Sequence, residues 1–491
     1  MTLPCFQLYI DGAFADAAQT FESIDPATGE AWAIMPAASQ ADVNRAVEAA
    51  DRAFHDAAWS GLTATQRGKL LTRLGDLVAE HADRLAELET RDTGKIIRET
   101  RAQIGYVAEY YRYFGGLADK IEGVHLPIDK ADMEVFLRRE PIGVVAAVVP
   151  WNSQLFLSAV KLGPALAAGC TVVLKASEDG PAPLLEFARL ADAAGFPKGV
   201  VNVITGFGEP AGRALTSHPM ISRVAFTGGP ATARHVVRNT AENLAHTTLE
   251  LGGKSPVLVF ADADLDSVSN AIIAGIFAAT GQSCVAGSRL YVERPVHDRL
   301  VDILKAKAAK IRIGDPQDFM TEMGPLATRR QREHIEVVLG RSVAAGASIV
   351  CGGRAPPDKP AGWYFEPTIV IAADNGVACV AEELFGPVLS VVAFDTEDEA
   401  ISKANDTRFG LASGIFTSSL TRAHRLIRRL RAGIVWVNTY RAVSPIVPFG
   451  GYGQSGLGRE GGSQSILDYT RTKSVWIRTS DDPIPDPFVM R

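Results

Sequence analysis

Ile142-Gly143-Val144-Val145-Ala146-Ala147-Val148-Val149-Pro150-Trp151-Asn152 is the stretch that decides the fold. Its first eight residues carry no charge and are mostly β-branched or alanine. An unbroken apolar run of this kind, rather than an alternating one, belongs to a parallel strand covered on both faces. Downstream, strand-like and helix-like segments alternate. Strands are expected at 171–174, 201–204, 222–226 and 246–251, with helices near 153–168, 181–194, 208–216 and 230–240. That alternation reads as a doubly wound α/β sheet. A second α/β unit begins at Ser255, with strands near 256–260, 289–293, 388–394 and 433–437 and helices at 264–279, 295–310, 396–405 and 418–430. The Gly/Pro-rich stretch 351–362 reads as a surface loop.

Upstream of this core, 8–14 reads as a hairpin turning at Asp11-Gly12. Ser39 caps a helix with Val43, Ala46, Val47, Ala50 and Phe54 on one face. One longer helix is expected to carry Leu70, Leu71, Leu74, Leu77, Val78, Leu85 and Leu88. The charged, alternating stretch 133–140 reads as an exposed ribbon, and 473–478 as a lone strand that pairs with it or with another subunit.

Composition narrows the function classes. The chain of 491 residues is long enough for two to four domains, and 47% hydrophobic with 22% charged residues is ordinary for a globular protein. A net charge of −6 argues against nucleic-acid binding as the main activity. The five cysteines lie far apart with no Cys-x-x-Cys, which points to neither a metal site nor a disulfide framework and leads us to expect a reducing, cytoplasmic compartment. The N-terminus lacks a secretory pattern, and the longest apolar run, 141–151, is too short to span a bilayer, so no membrane partner is expected.

Several segments carry chemistry. Pro150-Trp151-Asn152 ends the first buried strand, where ligands of open α/β sheets bind. Lys175 and Glu178 leave the end of the next strand. A carboxylate there can accept from both hydroxyls of an adenosine ribose, and it would repel a 2′-phosphate. Phe226-Thr227-Gly228-Gly229-Pro230 opens a helix whose free N–H groups suit a pyrophosphate. Glu250 sits between an apolar strand and a double glycine; a buried carboxylate has its pKa raised and is poised as a base. Gly281-Gln282-Ser283-Cys284 surrounds a thiol with small residues that let a planar ligand approach. Alone, that cysteine reads equally well as an inert buried thiol. Glu383-Leu384-Phe385-Gly386-Pro387 precedes a strand, and 448–460 is a glycine-rich loop that close backbone approach would explain.

Taken in order, these motifs resemble the NAD(P)-dependent aldehyde dehydrogenases, from about 140 to 470. The resemblance implies a Rossmann-like cofactor domain (1–123 and 142–250), a catalytic domain (251–445), and an oligomerisation ribbon and tail (124–141 and 465–491), with 446–464 returning to the cofactor domain. It casts Cys284 as nucleophile, Glu250 as general base and Asn152 as half of an oxyanion hole, with Lys161 and Glu460 in a proton path. It places Pro150, Trp151, Lys175, Glu178, Gly208, Thr227, Gly228, Gly229, Leu251, Glu383 and Phe385 around the cofactor. That cofactor is expected to be NAD, with NADP the weaker alternative. A homodimer or homotetramer follows from the same resemblance.

Two departures stand out. Ala233 replaces a glycine common in the helix after Phe-Thr-Gly-Gly, and Ser153 and Gln154 replace an aromatic residue and a proline common after the asparagine. The substrate lining is expected to include Ser153, Gln154, Val160, Tyr440, Arg441, Val443 and Ser444, a polar set with one cation. An aldehyde with a polar or anionic far end, such as a semialdehyde, would suit it. The expected reaction is oxidation of an aldehyde to the acid through a thioester. A CoA-acylating relative would not need Glu250, a cysteine esterase would recruit a histidine, and a non-catalytic binding protein would be expected to lose Cys284 or Glu250.

Overall fold

A computed structural model of the chain describes residues 2–484 and 486–489. Positions 485, 490 and 491 of the expected tail lie outside the described residues. Val144–Val148 is a strand in the interior of an eight-stranded sheet. Across the sheet the order is Gly456–Leu457, His246–Glu250, Ile221–Thr227, Val144–Val148, Thr171–Ala176, Val201–Thr205, Leu8–Ile10 and Ala13–Ala15. The strands from His246–Glu250 to Val201–Thr205 run parallel, so their carboxyl ends share one edge. The chain winds outward from Val144–Val148 through Thr171–Ala176 and Val201–Thr205, then returns to its other side at Ile221–Thr227. The crevice where that order reverses is where open α/β sheets bind ligands.

The unbroken apolar run has a direct cause. Val145, Ala147, Val172 and Leu174 point into one core with Leu162, Leu166 and Leu184. The residues between them, Val144, Ala146 and Val173, point into a second core with Val43, Val47 and Val236. Alternate side chains of a strand face opposite ways, so a strand with a core on each face can be apolar throughout.

The second sheet has seven strands in the order Ser348–Cys351, Thr368–Ile371, Val388–Phe394, Arg289–Glu293, Pro256–Val259, Ala412–Phe416 and Ile434–Val437. Only the edge strand Ser348–Cys351 is antiparallel to its neighbour. Sequence reading missed three of these strands and the helix Arg329–Ala344. Ala412-Ser413-Gly414 lacks the branched side chains that mark strands, yet it is fully buried beside Pro256–Val259, so tertiary context decides it.

Asp11 and Gly12, both at positive φ, turn the expected hairpin. The single long helix expected through Leu88 is two, Ala64–Glu80 and Ala82–Thr93, broken at His81. The helix Ile97–Leu117 was also missed, although Ile104, Val107, Ala108, Tyr111 and Phe114 recur at helical spacing. Met133–Pro141 pairs along its length with Thr470–Arg478 of the same chain, which resolves the pairing left open above. Among the described residues no helix is long and apolar enough to cross a membrane.

The loop after Ile434–Val437 closes back on the first sheet. Gly456 lies beside Glu250, antiparallel, at φ 138°, and a Cβ there would run into the Leu249 carbonyl. Gly456→Ala is therefore expected to lower stability by about 1–3 kcal/mol, the usual range for forcing a side chain into such a conformation. A fall in the denaturant midpoint at unchanged slope would show it; an unchanged midpoint would mean the loop is not pinned here.

Candidate active site

A cavity of about 630 Å³ opens where the carboxyl edge of the first sheet meets loops that lead into the second. The first sheet contributes Pro150, Trp151 and Asn152 after one strand, Thr227, Gly228 and Gly229 at the end of the next, and Glu250 and Leu251 at the end of the third. The second sheet contributes Cys284, ahead of Arg289–Glu293, and Glu383 and Phe385, ahead of Val388–Phe394. Ser153, Val160, Arg441, Val443 and Glu460 complete the set of expected residues on its wall.

Cys284 follows a sharp turn. Ala279, Thr280 and Gly281 are all left-handed, with φ of 52°, 54° and 70°. Side chains other than glycine's disfavour that region by roughly 1–2 kcal/mol each. The turn is held from outside: the Glu99 carboxylate accepts from the Ala279 N–H at 2.9 and 3.0 Å, and the Thr280 hydroxyl donates to the Gly324 carbonyl at 3.0 Å. Arg441 donates through Nη1 to the carbonyls of Ala274 and Ala278 at 3.1 and 3.4 Å. Part of Cys284 faces the cavity, but the protein around it is dense enough to desolvate a thiolate. Burial first, then the charges of Glu383 and Glu250, push its pKa up to about 12, against a smaller downward pull from Arg441.

Glu250 is 3% exposed, and neither carboxylate oxygen has a hydrogen-bond partner among the described residues. Burial raises its pKa well above the carboxylate range, and the charge of Glu460 raises it further; Lys161 and Arg459 oppose this. A Cβ on Gly450 would press on Oε1, so the glycine-rich loop passes directly over the carboxylate. Lys161 is fully buried, ion-paired with Glu460, and donates to Thr227 Oγ1 at 2.7 Å. The Asn152 amide donates to the Gln282 carbonyl at 3.1 Å, which ties the first sheet to the cysteine loop.

Glu383 accepts from the Gly253 N–H at 2.9 Å, and burial raises its pKa to about 7. Phe385, itself left-handed at φ 51°, meets the Trp151 ring edge-on at 5.6 Å. Gly229 starts the helix Pro230–Asn243 with no side-chain cap, and a Cβ on it would meet nothing within 4 Å. The Ala233 methyl packs into the core with Phe226 and Leu249 instead of facing the cavity.

Other expected residues lie elsewhere. Lys175, Glu178 and Gly208 sit beyond the cavity wall, at and after the carboxyl end of Thr171–Ala176 and Val201–Thr205. Lys175 is 4% exposed and donates to the carbonyls of Ala176 and Gly206 at 3.1 and 2.5 Å; burial lowers its pKa. Gln154 does not reach the cavity: it is fully buried, and its amide donates to the Gly180 carbonyl. Tyr440 lies under the cysteine loop with its hydroxyl on the Val285 carbonyl at 3.0 Å, and neither it nor Ser444 is on the wall.

Sequence reading overlooked the wall made by Lys95, Glu99, Gln103, Tyr106 and Tyr110, four of them on the missed helix Ile97–Leu117, and by Gln331 and His334. It also passed over Lys254, buried with no partner for Nζ, whose pKa burial lowers to about 7.

The electrostatics make a measurable claim about the thiol. Alkylation of Cys284 by iodoacetamide is expected to keep rising with pH above 9. Glu383→Gln removes the larger of the two opposing charges, so the thiol pKa should fall and alkylation at pH 8 should speed up. An unchanged rate would mean that Glu383 does not bear on the thiol.

Comparison with known proteins agrees with this geometry. A family model described as the aldehyde dehydrogenase family matches residues 14–475. The (Z)-2-((N-methylformamido)methylene)-5-hydroxybutyrolactone dehydrogenase of Acinetobacter baylyi is 64% identical over 99% of each chain. Among solved structures, PnpE in complex with nicotinamide adenine dinucleotide is 44% identical over 98% of this chain and 99% of its own, with a TM-score of 0.96. The NAD+ complex of an aldehyde dehydrogenase from Bacillus cereus is 40% identical over 97% of both chains, with a TM-score of 0.95. With the match spanning nearly the whole length and Cys284, Glu250 and Asn152 gathered on one cavity, the chain belongs to the aldehyde dehydrogenase family.

Proposed function

We propose that this protein oxidises an aldehyde to its carboxylic acid with NAD, and that the aldehyde carries a carboxylate at its far end. The observation that carries the first half is Glu250: a buried carboxylate with both oxygens unpartnered, on the same cavity wall as Cys284. An orphaned buried charge is costly unless a ligand or water uses it.

The residues fit a dinucleotide. The uncapped helix start at Gly229 offers N–H groups to a diphosphate beside open space. Glu383 offers a carboxylate to a ribose, and Trp151 and Phe385 supply apolar surface for a ring. Glu178, at the end of the neighbouring strand, favours a ribose with two free hydroxyls over a phosphorylated one. NAD, when bound, supplies the hydride acceptor.

The chain's own residues do the rest. Cys284, as thiolate, attacks the aldehyde carbon. The negative charge that develops on oxygen is met by the Asn152 amide and the Cys284 backbone N–H, each such donor worth about 3 kcal/mol. After the aldehyde hydrogen has left as hydride, a thioester remains on Cys284. Glu250 takes a proton from water, which attacks the thioester and frees the acid and the thiol. A carboxylate whose pKa is raised by burial is a better base at neutral pH than an ordinary one. Glu460, ion-paired with Lys161, is the next acceptor for that proton. CoA-acylating chemistry would leave Glu250 without a task.

The substrate reading rests on the cations of the cavity and on chemistry. Lys95 and Arg441 both reach the wall. Lys95 has all three N–H bonds engaged, by Glu89, Gln103 and Ser153. Arg441 has no ion pair among the described residues, and only its Nη1 is hydrogen-bonded, which leaves Nε and Nη2 for an anion. The Acinetobacter relative is named for a 5-hydroxybutyrolactone. Such a ring offers a thiolate no aldehyde carbonyl. When the hydroxyl proton is lost and the ring C–O bond breaks, it becomes an aldehyde with a carboxylate at the other end. A γ-oxo acid of that class has the two groups that Cys284 and Arg441 call for. Five unpaired cysteines suit a cytoplasmic setting, and exposed Trp476 and Ile477 on the outer strand give a homodimer or homotetramer apolar surface to cover.

Two measurements test the proposal. Cys284→Ala should abolish turnover, and Glu250→Gln should give a burst of NADH with little steady state, because only thioester hydrolysis needs the base; wild-type steady turnover in Glu250→Gln would remove Glu250 from the mechanism. Arg441→Ala should lower kcat/KM at least tenfold more on a short semialdehyde than on an uncharged aldehyde of equal length, a difference of about 1.4 kcal/mol. Equal losses on the two substrates would retire the anionic-substrate reading and leave the oxidation itself untouched.

A further inference from the structure

Ser153 stands where the polar lining was expected to meet substrate, yet its hydroxyl has no capacity left. It accepts from Lys95 Nζ at 3.1 Å and from Gln103 Nε2 at 3.2 Å, and donates to the Asn152 carbonyl at 2.6 Å. A hydroxyl has one proton and two lone pairs, and all three are in use. Ser153 is also the residue before the helix Gln154–Ala168, where a serine ordinarily caps the helix with its side chain, and it makes no such cap. Its side chain has been turned away from the helix toward Lys95. Lys95 in turn is 7% exposed and paired with the buried Glu89 at 2.8 Å, and its remaining N–H groups go to Gln103 at 2.9 Å and to Ser153.

We propose that Lys95 and Ser153 are positioning residues for Asn152. Glu89 fixes Lys95, Lys95 and Gln103 fix the Ser153 hydroxyl, and that hydroxyl holds the Asn152 carbonyl, so that the amide of the same residue points across the cavity to the Gln282 carbonyl. The chain of bonds runs from a buried ion pair to the group that meets the developing oxyanion. The inference rests on the reading of Asn152 given above. It also assigns the departure at Ser153 to the geometry of the site instead of to recognition of the substrate.

The test compares pre-steady-state NADH bursts in Ser153→Ala, Ser153→Thr and Asn152→Ala, with the iodoacetamide rate of Cys284 and the thermal midpoint as controls. Ser153→Ala should slow the burst about tenfold or more, the scale on which a small misplacement of a reacting group acts. Its alkylation rate should fall far less than the burst, since burial, Glu383 and Glu250 set the thiol's pKa and the Asn152 amide does not, and the thermal midpoint should fall by no more than the loss of one hydrogen-bonded hydroxyl brings. Ser153→Thr keeps the hydroxyl and should keep most of the burst rate. Adding Glu89→Gln and Lys95→Met to Ser153→Ala should slow the burst no further, because groups acting through one another are not additive. A wild-type burst in Ser153→Ala, equal damage in Ser153→Ala and Ser153→Thr, or parallel loss of alkylation overturns the proposal. If the triple variant fails to fold, the Ser153 pair still decides it. A wild-type burst in Asn152→Ala would sink the oxyanion reading itself, whereas a slow Asn152→Ala beside a normal Ser153→Ala would sink only the brace.

Discussion

Desolvation is the constraint on which the centre of this molecule depends. Glu250, Cys284 and Glu383 converge on one cavity, and burial is the first cause of the upward shift in each. At Cys284 the second contribution is the charge of Glu383 and then of Glu250, and at Glu250 it is the charge of Glu460. Such a site favours holding fewer negative charges than it has acids. In the proposed reaction a proton leaving the thiol or water would go to a neighbour whose own affinity for it has been raised, as burial raises that of Glu250. The three come from two sheets: Glu250 ends a strand of the first, and Cys284 and Glu383 lie in loops ahead of strands of the second.

The backbone near the cavity is strained where the chemistry is placed. Of the non-glycine residues at positive φ, Ala279, Thr280, Phe385 and Arg441 lie on or beside the wall. Each costs of order 1–3 kcal/mol and persists only where surrounding bonds hold it. Those bonds are specific here: Glu99 on Ala279, Thr280 on Gly324, and Gln331 on the carbonyls of Leu384 and Phe385. Glu99 and Gln331 come from segments remote in sequence from Cys284. Outlying helices thus set the geometry of a loop that looks local.

How much of this was legible in the sequence follows from the range of each signal. The buried strand at 144–148 announced itself because a core on each face demands an unbroken apolar run. Glu250, Cys284, Asn152 and Glu383 could be singled out because each sits at a strand end or a glycine-rich bend, where short-range sequence is distinctive. Ala412–Phe416 was missed because its strand character comes only from its neighbours. The far wall was missed for a similar reason. Lys95, Glu99 and Gln103 look like solvated charges and amides in a polar stretch, and only the packing of Ile97–Leu117 beside the cavity gives them another meaning. Gln154 failed in the opposite sense: adjacency to Asn152 suggested a place on the wall, but the helix that starts there turns its side chain under Gly180.

The two cations of the cavity show why placement outranks composition in reading specificity. Lys95 and Arg441 carry the same charge and line the same space, so a count of charges treats them alike. Their hydrogen bonds separate them. Lys95 is compensated by a buried carboxylate and has no N–H left to offer, so an anion reaching it would have to displace an existing bond and would meet the charge of Glu89 behind it. Arg441 is anchored by one nitrogen to two main-chain carbonyls, feels the Glu99 carboxylate without an ion pair to it, and keeps two unengaged nitrogens. A planar guanidinium fixed at one corner loses little further freedom when it closes on a carboxylate, and it presents paired donors at the spacing a carboxylate requires. Recognition of an anionic substrate would therefore fall to the residue that keeps two donors unengaged, while the fully satisfied lysine is left to stiffen the wall.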